Sequence, residues 1–237
     1  MDPQLLMLAR PEPDTKAHNN GPTLPLLFLY LLNIVAKSVI NQLVNEASAK
    51  PEQAEPIAIC AMMMFSSPAF LWRNEPLIDI LKCKYAKACP ILFGATGHET
   101  TEEGRARLGW KKENGAWLSA QEHADRMNGL GLGFASLTLR NYGNTGRTNP
   151  WKPNCYWKAV AEILNTPPDQ ICTSQYVVLK ALLENYAMKF VNLYGDSAKA
   201  VLRVATTVFP SYGQGPAAGA LQLLSEQWQK SEGFYLD

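Results

Sequence analysis

The chain contains 237 residues, of which 47% are hydrophobic and 18% charged, so it can bury a full core in one domain of repeated helical layers. The formal net charge of +1 excludes a global electrostatic attraction to nucleic acid, and any polyanion must bind at a local cluster of cations. The five cysteines are scattered without a Cys-x-x-Cys pair, which argues against a zinc site and for reduced thiols in the cytosol or nucleus.

The chain begins with a proline-containing stretch, residues 1–24, which we expect to be a disordered lead before a helical domain at residues 25–237. The apolar run Leu26–Ala36 is shorter than the roughly 20 residues that a membrane span requires, and Lys37 interrupts it. The run therefore predicts a buried core helix that continues to about Ala47, with no membrane insertion.

Two more helices are predicted before residue 90. The segment Ile57–Phe65 is apolar on most sides, and its methionine run Met62–Met64 is expected to fill the core. The segment Leu77–Lys87 has apolar residues at helical spacing and is followed by a proline.

Three lysines, Lys82, Lys84 and Lys87, crowd this third helix. Lys84 and Lys87 are three positions apart and so share a helix face, where like charges destabilise by roughly 0.2–0.5 kcal/mol. An anion or an acidic partner would offset that repulsion, which suggests a binding site for a polyanion. The alternative is a solvated helix end, where cations suit the helix dipole without any ligand.

The stretch 89–117 shows no lasting hydrophobic period and is punctuated by glycines, so we predict one long irregular loop. Trp110 and Trp117 are expected to anchor this loop on the helices because tryptophans bury a large area. Their position beside Lys111 and Lys112 would also suit stacking on nucleobases, with phosphate contacts next to them.

Ser119 and Glu122 form a capping-box pattern that predicts the start of a fourth helix. Within it, Gly129, Gly131 and Gly133 imitate part of a dinucleotide-binding fingerprint, but no strand precedes them as that fingerprint requires. A glycine in a helix interior costs up to about 1 kcal/mol relative to alanine. We therefore expect close packing against a neighbouring helix to compensate.

Four further helices are indicated by apolar spacing, at residues 157–164, 176–190, 197–208 and 217–228. With about eight helices and no convincing strand, the predicted fold class is all-α. Helices of these lengths with short links pack as antiparallel pairs, so we predict a HEAT-like helical stack or an irregular bundle.

The sequence contains no convincing catalytic constellation. The acidic group Glu99, Glu102 and Glu103 falls in the glycine-containing loop, where solvated carboxylates are expected rather than a tuned acid–base pair. His98 lies beside this group, but no known motif places a serine or cysteine near it. We predict that the chain is not an enzyme and holds no metal.

Several segments, in their order and spacing, resemble the C-terminal domain of a known family, the nuclear-pore mRNA export mediators usually called GLE-one. These segments are Asn33–Lys37, Lys84–Pro90, Glu103–Arg105, Leu108–Lys111, Glu122–Gly129 and Trp157–Pro167. The resemblance runs from about residue 26 to residue 233. The coiled coil and first helices that precede this region in the family are therefore expected to be missing, and residues 1–24 to be unrelated to it.

The resemblance implies a helical domain that activates a DEAD-box RNA helicase, with inositol hexakisphosphate bridging the two proteins. It assigns the phosphate ligand to Lys37, Lys84 and Lys87, and to Asn41, where some family members carry a histidine. Flexible ammonium groups from two neighbouring helices suit a compact ligand with several phosphates. Ala88 stands where members often have another lysine, so the expected site has one charge fewer.

The resemblance also implies a role in mRNA export at the cytoplasmic face of the nuclear pore. Further partners would be a nucleoporin and translation initiation factors, without direct contact with DNA. A second hypothesis is a helical scaffold that docks nucleoporins or translation initiation factors without a phosphate ligand, and a third is a small hydrolase using His98 or the loop carboxylates. Phosphate binding separates the first two hypotheses, and turnover separates the third.

Overall fold

A computed structural model describes residues 23–143 and 147–236, and the predicted lead at residues 1–24 lies almost entirely outside them. The described residues are mostly helical, and the predicted all-α helical stack is confirmed. The helices are α1 (Leu26–Gln42), α2 (Ala54–Phe65), α3 (Asp79–Ala88), α4 (Glu102–Arg107), α5 (Ala120–Thr138), α6 (Asn154–Leu164), α7 (Thr173–Leu183), α8 (Ala187–Tyr194), α9 (Asp196–Arg203), α10 (Pro216–Gln222) and α11 (Leu224–Glu232).

The described residues hold eleven α-helices rather than about eight. One addition is α4, which has six residues and is too short to show a helical period; Thr101 caps it by accepting a backbone hydrogen bond on its side chain. The other two additions arise because the predicted helices 176–190 and 217–228 are each divided in two. At the first division, the indole of Trp228 donates to the carbonyl of Glu184 at 3.0 Å.

Two short antiparallel hairpins interrupt the helices, although the sequence predicted no strand. The strands are β1 (Leu71–Trp72) paired with β2 (Glu75–Pro76), and β3 (Lys112–Glu113) paired with β4 (Ala116–Trp117). The second hairpin turns at Asn114 and Gly115, whose φ angles are 51° and 83°. An Asn-Gly pair in the left-handed region is a strong hairpin signal. With α4 and this hairpin, the stretch 89–117 is more regular than its composition predicts.

Helix α5 runs through the centre of the domain and packs against α7, α2 and the turn that follows α1. The predicted capping box begins it: the backbone N–H of Ser119 donates to the Glu122 carboxylate at 2.8 Å, and the Glu122 N–H donates to Ser119 Oγ at 3.2 Å. From Gly129 to Thr138 every residue of α5 is buried. The helix therefore fixes the positions of the elements around it.

The glycines of α5 permit close helix packing, as expected. The turn after α1, Leu43–Ala47, is π-helical, and a Cβ added at Gly129 would collide with the carbonyl oxygen of Leu43. A Cβ at Gly131 would lie 2.7 Å from the Cβ of Ala181 on α7. Because these glycines lie inside a helix, they cannot form the turn of a dinucleotide-binding loop.

An aromatic cluster holds α3 against α5. The rings of Tyr85, Phe134 and Trp151 meet edge to face, with centroids 5.1 to 5.8 Å apart. The phenol of Tyr85 also donates to the carbonyl of Leu130 at 3.2 Å. Since Tyr85 is fixed in the core, the orientation of α3 relative to α5, and with it the direction of its lysine-bearing surface, is set by this cluster.

Helix α1 is only partly buried, contrary to the expectation of a core helix. Its second half buries Ala36 and Ile40 and packs against α3, whereas its first half exposes Leu26 by 72% and Tyr30 by 59%. This half does meet the core on one side, where Leu32 is 2% exposed and the Phe28 ring lies 5.9 Å from the ring of Phe70, so the expectation fails only for its other sides. By length and composition, Leu26–Ala47 is also the one described stretch that could span a membrane, with a mean hydropathy of 1.6.

The methionine run on α2 is also divided between core and surface. Met62 is fully buried, Met64 is half-buried and Met63 is 49% exposed. Three successive residues of a helix point in directions about 100° apart, so a continuous apolar run cannot all face the core. The expectation of core filling is correct for Met62 and wrong for Met63.

Candidate polyanion-binding site

A cavity of about 450 Å³ lies between α1, α3, α5 and the segment after α4. The four residues assigned from the family resemblance all line it: Lys37, Asn41, Lys84 and Lys87. Two further cations, Lys111 and Arg126, line it as well, and no carboxylate of the described residues does. Five positive side chains therefore surround one small space, which we refer to as the polyanion site.

The fold explains why the four predicted residues converge. Lys37 and Asn41 are one turn apart on α1, and Lys84 and Lys87 are one turn apart on α3, so each pair shares a helix face. The two helices pack together through their buried sides. Lys37, Asn41 and Lys87 are exposed and Lys84 is partly exposed. These side chains form the solvent-facing rim of the site.

Lys82, the third lysine of the cluster, does not belong to the site. Its ammonium pairs with Asp79 at 2.9 Å and faces a different cavity of about 860 Å³. That larger cavity is lined by Arg147 and Lys152 but also by Glu75 and Asp79, so charges of both signs meet there. A polyanion is better matched by the smaller cavity, where only cations are present.

Arg126 is one of two cations of the site that sequence reasoning did not assign to it. It is only 6% exposed, and its Nε has no hydrogen-bond partner within residues 23–143 and 147–236. The pKa of its guanidinium is lowered, first by burial. The pattern on α5 contained the signal, because His123, Arg126 and Leu130 fall on one stripe of the helix and an arginine there is unusual.

Lys111, which the sequence suggested only as a phosphate contact beside stacked nucleobases, lies on the exposed side of the site. Its pKa is lowered by partial desolvation and then by the charge of Arg126. The two cations therefore influence each other across the cavity, as like charges do when no anion separates them.

Trp110 forms the wall between the polyanion site and a smaller cavity behind it. Its ring stacks on His123 with centroids 4.0 Å and planes 15° apart, and the Arg105 guanidinium lies 4.9 Å from the ring centroid. His123 Nε2 lies 2.9 Å from Ser174 Oγ, whose hydroxyl donates to Glu99. Trp110 thus anchors its segment, as predicted, and Glu99 is bound to Ser174 rather than solvated.

This network sets the protonation of His123. Because the Ser174 hydroxyl donates to Glu99, it accepts from His123, and the imidazole proton must be on Nε2. Nδ1 is buried, and no described residue forms a hydrogen bond with it. Burial, followed by the nearby charge of Arg126, lowers the pKa of His123 from 6.5 to about 4.

We expect acid to destabilise the protein through His123. Between pH 6.5 and about 4 the unfolded chain binds a proton there and the folded chain does not, so stability falls as the pH drops. The shift corresponds to roughly 3 kcal/mol of unfolding free energy. Urea denaturation across this range should give a shallower pH dependence for His123→Gln than for the parent. His98→Gln, at an exposed histidine, is the control, and an equally steep dependence in His123→Gln would contradict the assignment.

Glu102, another member of the acidic group in the loop, is held by neighbouring side chains. Glu102 pairs with Lys112 at 3.1 Å and accepts a hydrogen bond from Trp117 at 3.3 Å. The hydrogen bond from Lys112 is the main cause of its lowered pKa, which keeps it an ionised carboxylate. His98 is exposed. Within residues 23–143 and 147–236, no group of three His, Cys, Asp or Glu could hold a metal ion.

Comparison with known proteins gives consistent matches. A family model described as GLE1-like protein matches residues 4–206. The chain is 46% identical over 238 residues to mRNA export factor GLE1 of Chaetomium thermophilum, which covers 100% of this chain and 45% of that protein. It is 28% identical over 213 residues to mRNA export factor GLE1 of Saccharomyces cerevisiae, which covers 87% of this chain and 38% of that protein.

The chain thus spans less than half the length of these curated relatives. The matches also extend into residues 1–24, so the expectation that this stretch is unrelated to the family is wrong.

Solved structures share the fold. Two complexes of the S. cerevisiae Dbp5 C-terminal domain bound to Gle1 and IP6 match with TM-scores of 0.77 and 0.76, each at 27% sequence identity. Each match covers 88% of this chain and 71% of the matched chain.

Proposed function

The chain belongs to the GLE1-like protein family, and from that premise we propose that it binds inositol hexakisphosphate in the polyanion site and activates a DEAD-box RNA helicase. The helicase hydrolyses ATP and remodels messenger ribonucleoprotein during mRNA export, and this domain catalyses no reaction itself. We extend the proposal to the cytoplasmic face of the nuclear pore, with a nucleoporin and translation initiation factors as further partners. That extension rests on family membership.

The observation that carries the proposal is the charge of the polyanion site. Five cations line about 450 Å³ of space without a carboxylate among the described residues. Such a cluster is unfavourable on its own and becomes favourable when an anion with several charges enters. Inositol hexakisphosphate is compact, carries phosphates in every direction, and can therefore contact lysines from both α1 and α3.

The same geometry supports a bridging role for the ligand. Lys37 and Lys87 lie on the exposed rim, so a ligand held by them keeps part of its phosphate surface in solvent. Cations on a second protein could pair with that surface. The solved Gle1 complexes contain both IP6 and the Dbp5 C-terminal domain, and we propose the equivalent arrangement for this chain.

Activation would follow from selective binding. A partner changes the conformational equilibrium of a helicase only if it binds one arrangement of the two lobes more tightly than the other. We propose that the ligand adds contacts to one lobe in the arrangement that releases product. The ATPase rate then rises because the slow conformational step that releases product becomes faster.

The test is helicase turnover. We expect the chain alone to hydrolyse no ATP, and to raise the ATPase rate of its cognate DEAD-box helicase more strongly with inositol hexakisphosphate than without it. An unchanged helicase rate at saturating chain and ligand would contradict the activator function. It would favour the scaffold hypothesis, to which the exposed apolar residues of α1 are already suited. Intrinsic ATPase activity of the purified chain would contradict both.

A further inference from the structure

The buried guanidinium of Arg126 lacks a balancing charge among the described residues. The side chain is 6% exposed, and its Nε is buried without a hydrogen-bond partner. None of the ion pairs of the described residues includes it. A buried arginine in a folded protein is normally paired with a carboxylate, because an isolated charge away from water is strongly unfavourable.

The neighbours of Arg126 do not supply that charge. The thiol of Cys89 is fully buried, and burial raises its pKa to about 12, so it is neutral at physiological pH. His123, one turn earlier on α5, is also neutral near pH 7. Glu113 attracts Arg126, but it is exposed on β3 and forms no ion pair with it. Lys111 repels it.

A phosphate group would satisfy this side chain. The planar guanidinium offers several N–H donors in a fork that matches two phosphate oxygens, and such charge-assisted pairs are stronger than neutral hydrogen bonds. Arg126 lines the polyanion site, so an anion in that cavity can reach it. Trp110 lines the same cavity and has a buried indole N–H without an acceptor.

We propose that Arg126 is the inner phosphate-binding residue of the polyanion site: one phosphate group enters the cavity and pairs with its guanidinium, while the rim lysines hold the outer phosphates. The indole of Trp110 is the second donor for the inner phosphate. The inference rests on the proposed function for the identity of the ligand, inositol hexakisphosphate. The contact with Arg126 itself requires only a phosphate group with unprotonated oxygens.

The proposal predicts opposite effects of one substitution on the free and liganded protein. Arg126→Met removes an unpaired buried charge, so the ligand-free melting temperature should stay equal or rise. The same change should weaken inositol hexakisphosphate binding by about 10- to 100-fold, because a charge-assisted contact is lost. A merely structural arginine would instead lower the melting temperature and leave the affinity of the folded fraction unchanged.

The experiment combines calorimetric titration with thermal unfolding of the full chain. Arg126→Lys keeps the charge but loses the fork, and we expect an intermediate affinity; this variant decides the matter if Arg126→Met does not fold. Lys158→Met removes one positive charge from an exposed position on α6 and should leave the affinity within about twofold. If Arg126→Met binds the ligand as tightly as the parent does, the inference is wrong and the proposed function is unaffected. If Arg126→Met is unfolded, the same comparison is made with Arg126→Lys.

Tripolyphosphate separates failure of the inference from failure of the proposed function. If the parent does not bind inositol hexakisphosphate, the proposed ligand is wrong. The role of Arg126 is then tested with tripolyphosphate, by comparing the rise in melting temperature that this anion produces in the parent and in the variants. Loss of that rise in Arg126→Met, but not in Lys158→Met, supports the inner phosphate contact. A rise of equal size in all three proteins, or in none of them, overturns it.

Discussion

Replacing Lys84 and Lys87 together by glutamate is expected to weaken inositol hexakisphosphate binding by about 100-fold or more. Both lysines line the polyanion site from one face of α3, and a hydrogen bond to a charged group contributes about 1.5–3 kcal/mol. The substitution also places two negative charges against the ligand. Neither lysine forms an ion pair with a described residue, so stability should change little.

Calorimetric titration at two salt concentrations measures this effect. The affinity of the parent should fall steeply with salt, because the rim lysines and the ligand are partly exposed to solvent. Dissolved ions screen exposed charges, and the screening length is about 10 Å at 0.1 M ionic strength and shorter at higher salt. The control is Lys82→Glu combined with Lys158→Glu, which makes the same change in net charge outside the site. Equal binding by the Lys84 and Lys87 double variant and the parent would show that the site is wrongly assigned.

Gly129→Ala is expected to destabilise the fold by about 3 kcal/mol or more. The added methyl group would collide with the carbonyl oxygen of Leu43. A backbone atom in a packed helical turn cannot move aside as a flexible side chain does. Helix α5 and the π-helical turn after α1 would therefore have to separate, which would open the centre of the core.

Gly219→Ala is the matched control for this prediction. Gly219 also lies inside a helix, α10, but no atom beyond its own helix turn and chain neighbours lies within 4 Å of an added Cβ. Alanine should therefore stabilise the protein by up to about 1 kcal/mol through its higher helix propensity. Denaturant unfolding of the two variants measures both effects. A stability change below about 0.5 kcal/mol in Gly129→Ala would mean that the close approach to Leu43 is absent.

Local patterns predicted the longer helices and part of the site. The capping box at Ser119 fixed the start of α5 because it satisfies backbone donors within one turn, independently of the rest of the fold. The lysine spacing placed Lys84 and Lys87 on one face of α3 for the same local reason. That α1 supplies the opposite side of the site, through Lys37 and Asn41, came from the family resemblance and not from any periodicity.

Features that depend on distant residues were not predictable in this way. The break between α7 and α8 coincides with the hydrogen bond from Trp228 to Glu184, which joins residues 44 positions apart. The exposure of Leu26 and Tyr30 depends on which other elements reach the first half of α1. Short elements fail for another reason: α4 and the β3–β4 hairpin contain too few residues for a period to appear.

Arg126 is a different kind of omission. Its position on the buried stripe of α5 could be read from the spacing, but only the structure shows that no carboxylate of the described residues forms an ion pair with it. A pairing partner can come from any part of the chain. Whether one is present therefore depends on how distant segments of the chain pack together.

The π-helical turn at Leu43–Ala47 constrains how this sequence can evolve. Such a turn has i→i+5 hydrogen bonds and so contains one residue more than an α-helical turn, and here it presents the Leu43 carbonyl to Gly129. Deleting one residue from the turn would rotate all of α1 that precedes it by about 100° and carry Lys37 and Asn41 away from α3. Substitution of the glycine at position 129 and a change in the length of the turn at 43–47 should therefore occur together in homologues. Homologues that lack the glycine are expected to differ in the length of this turn.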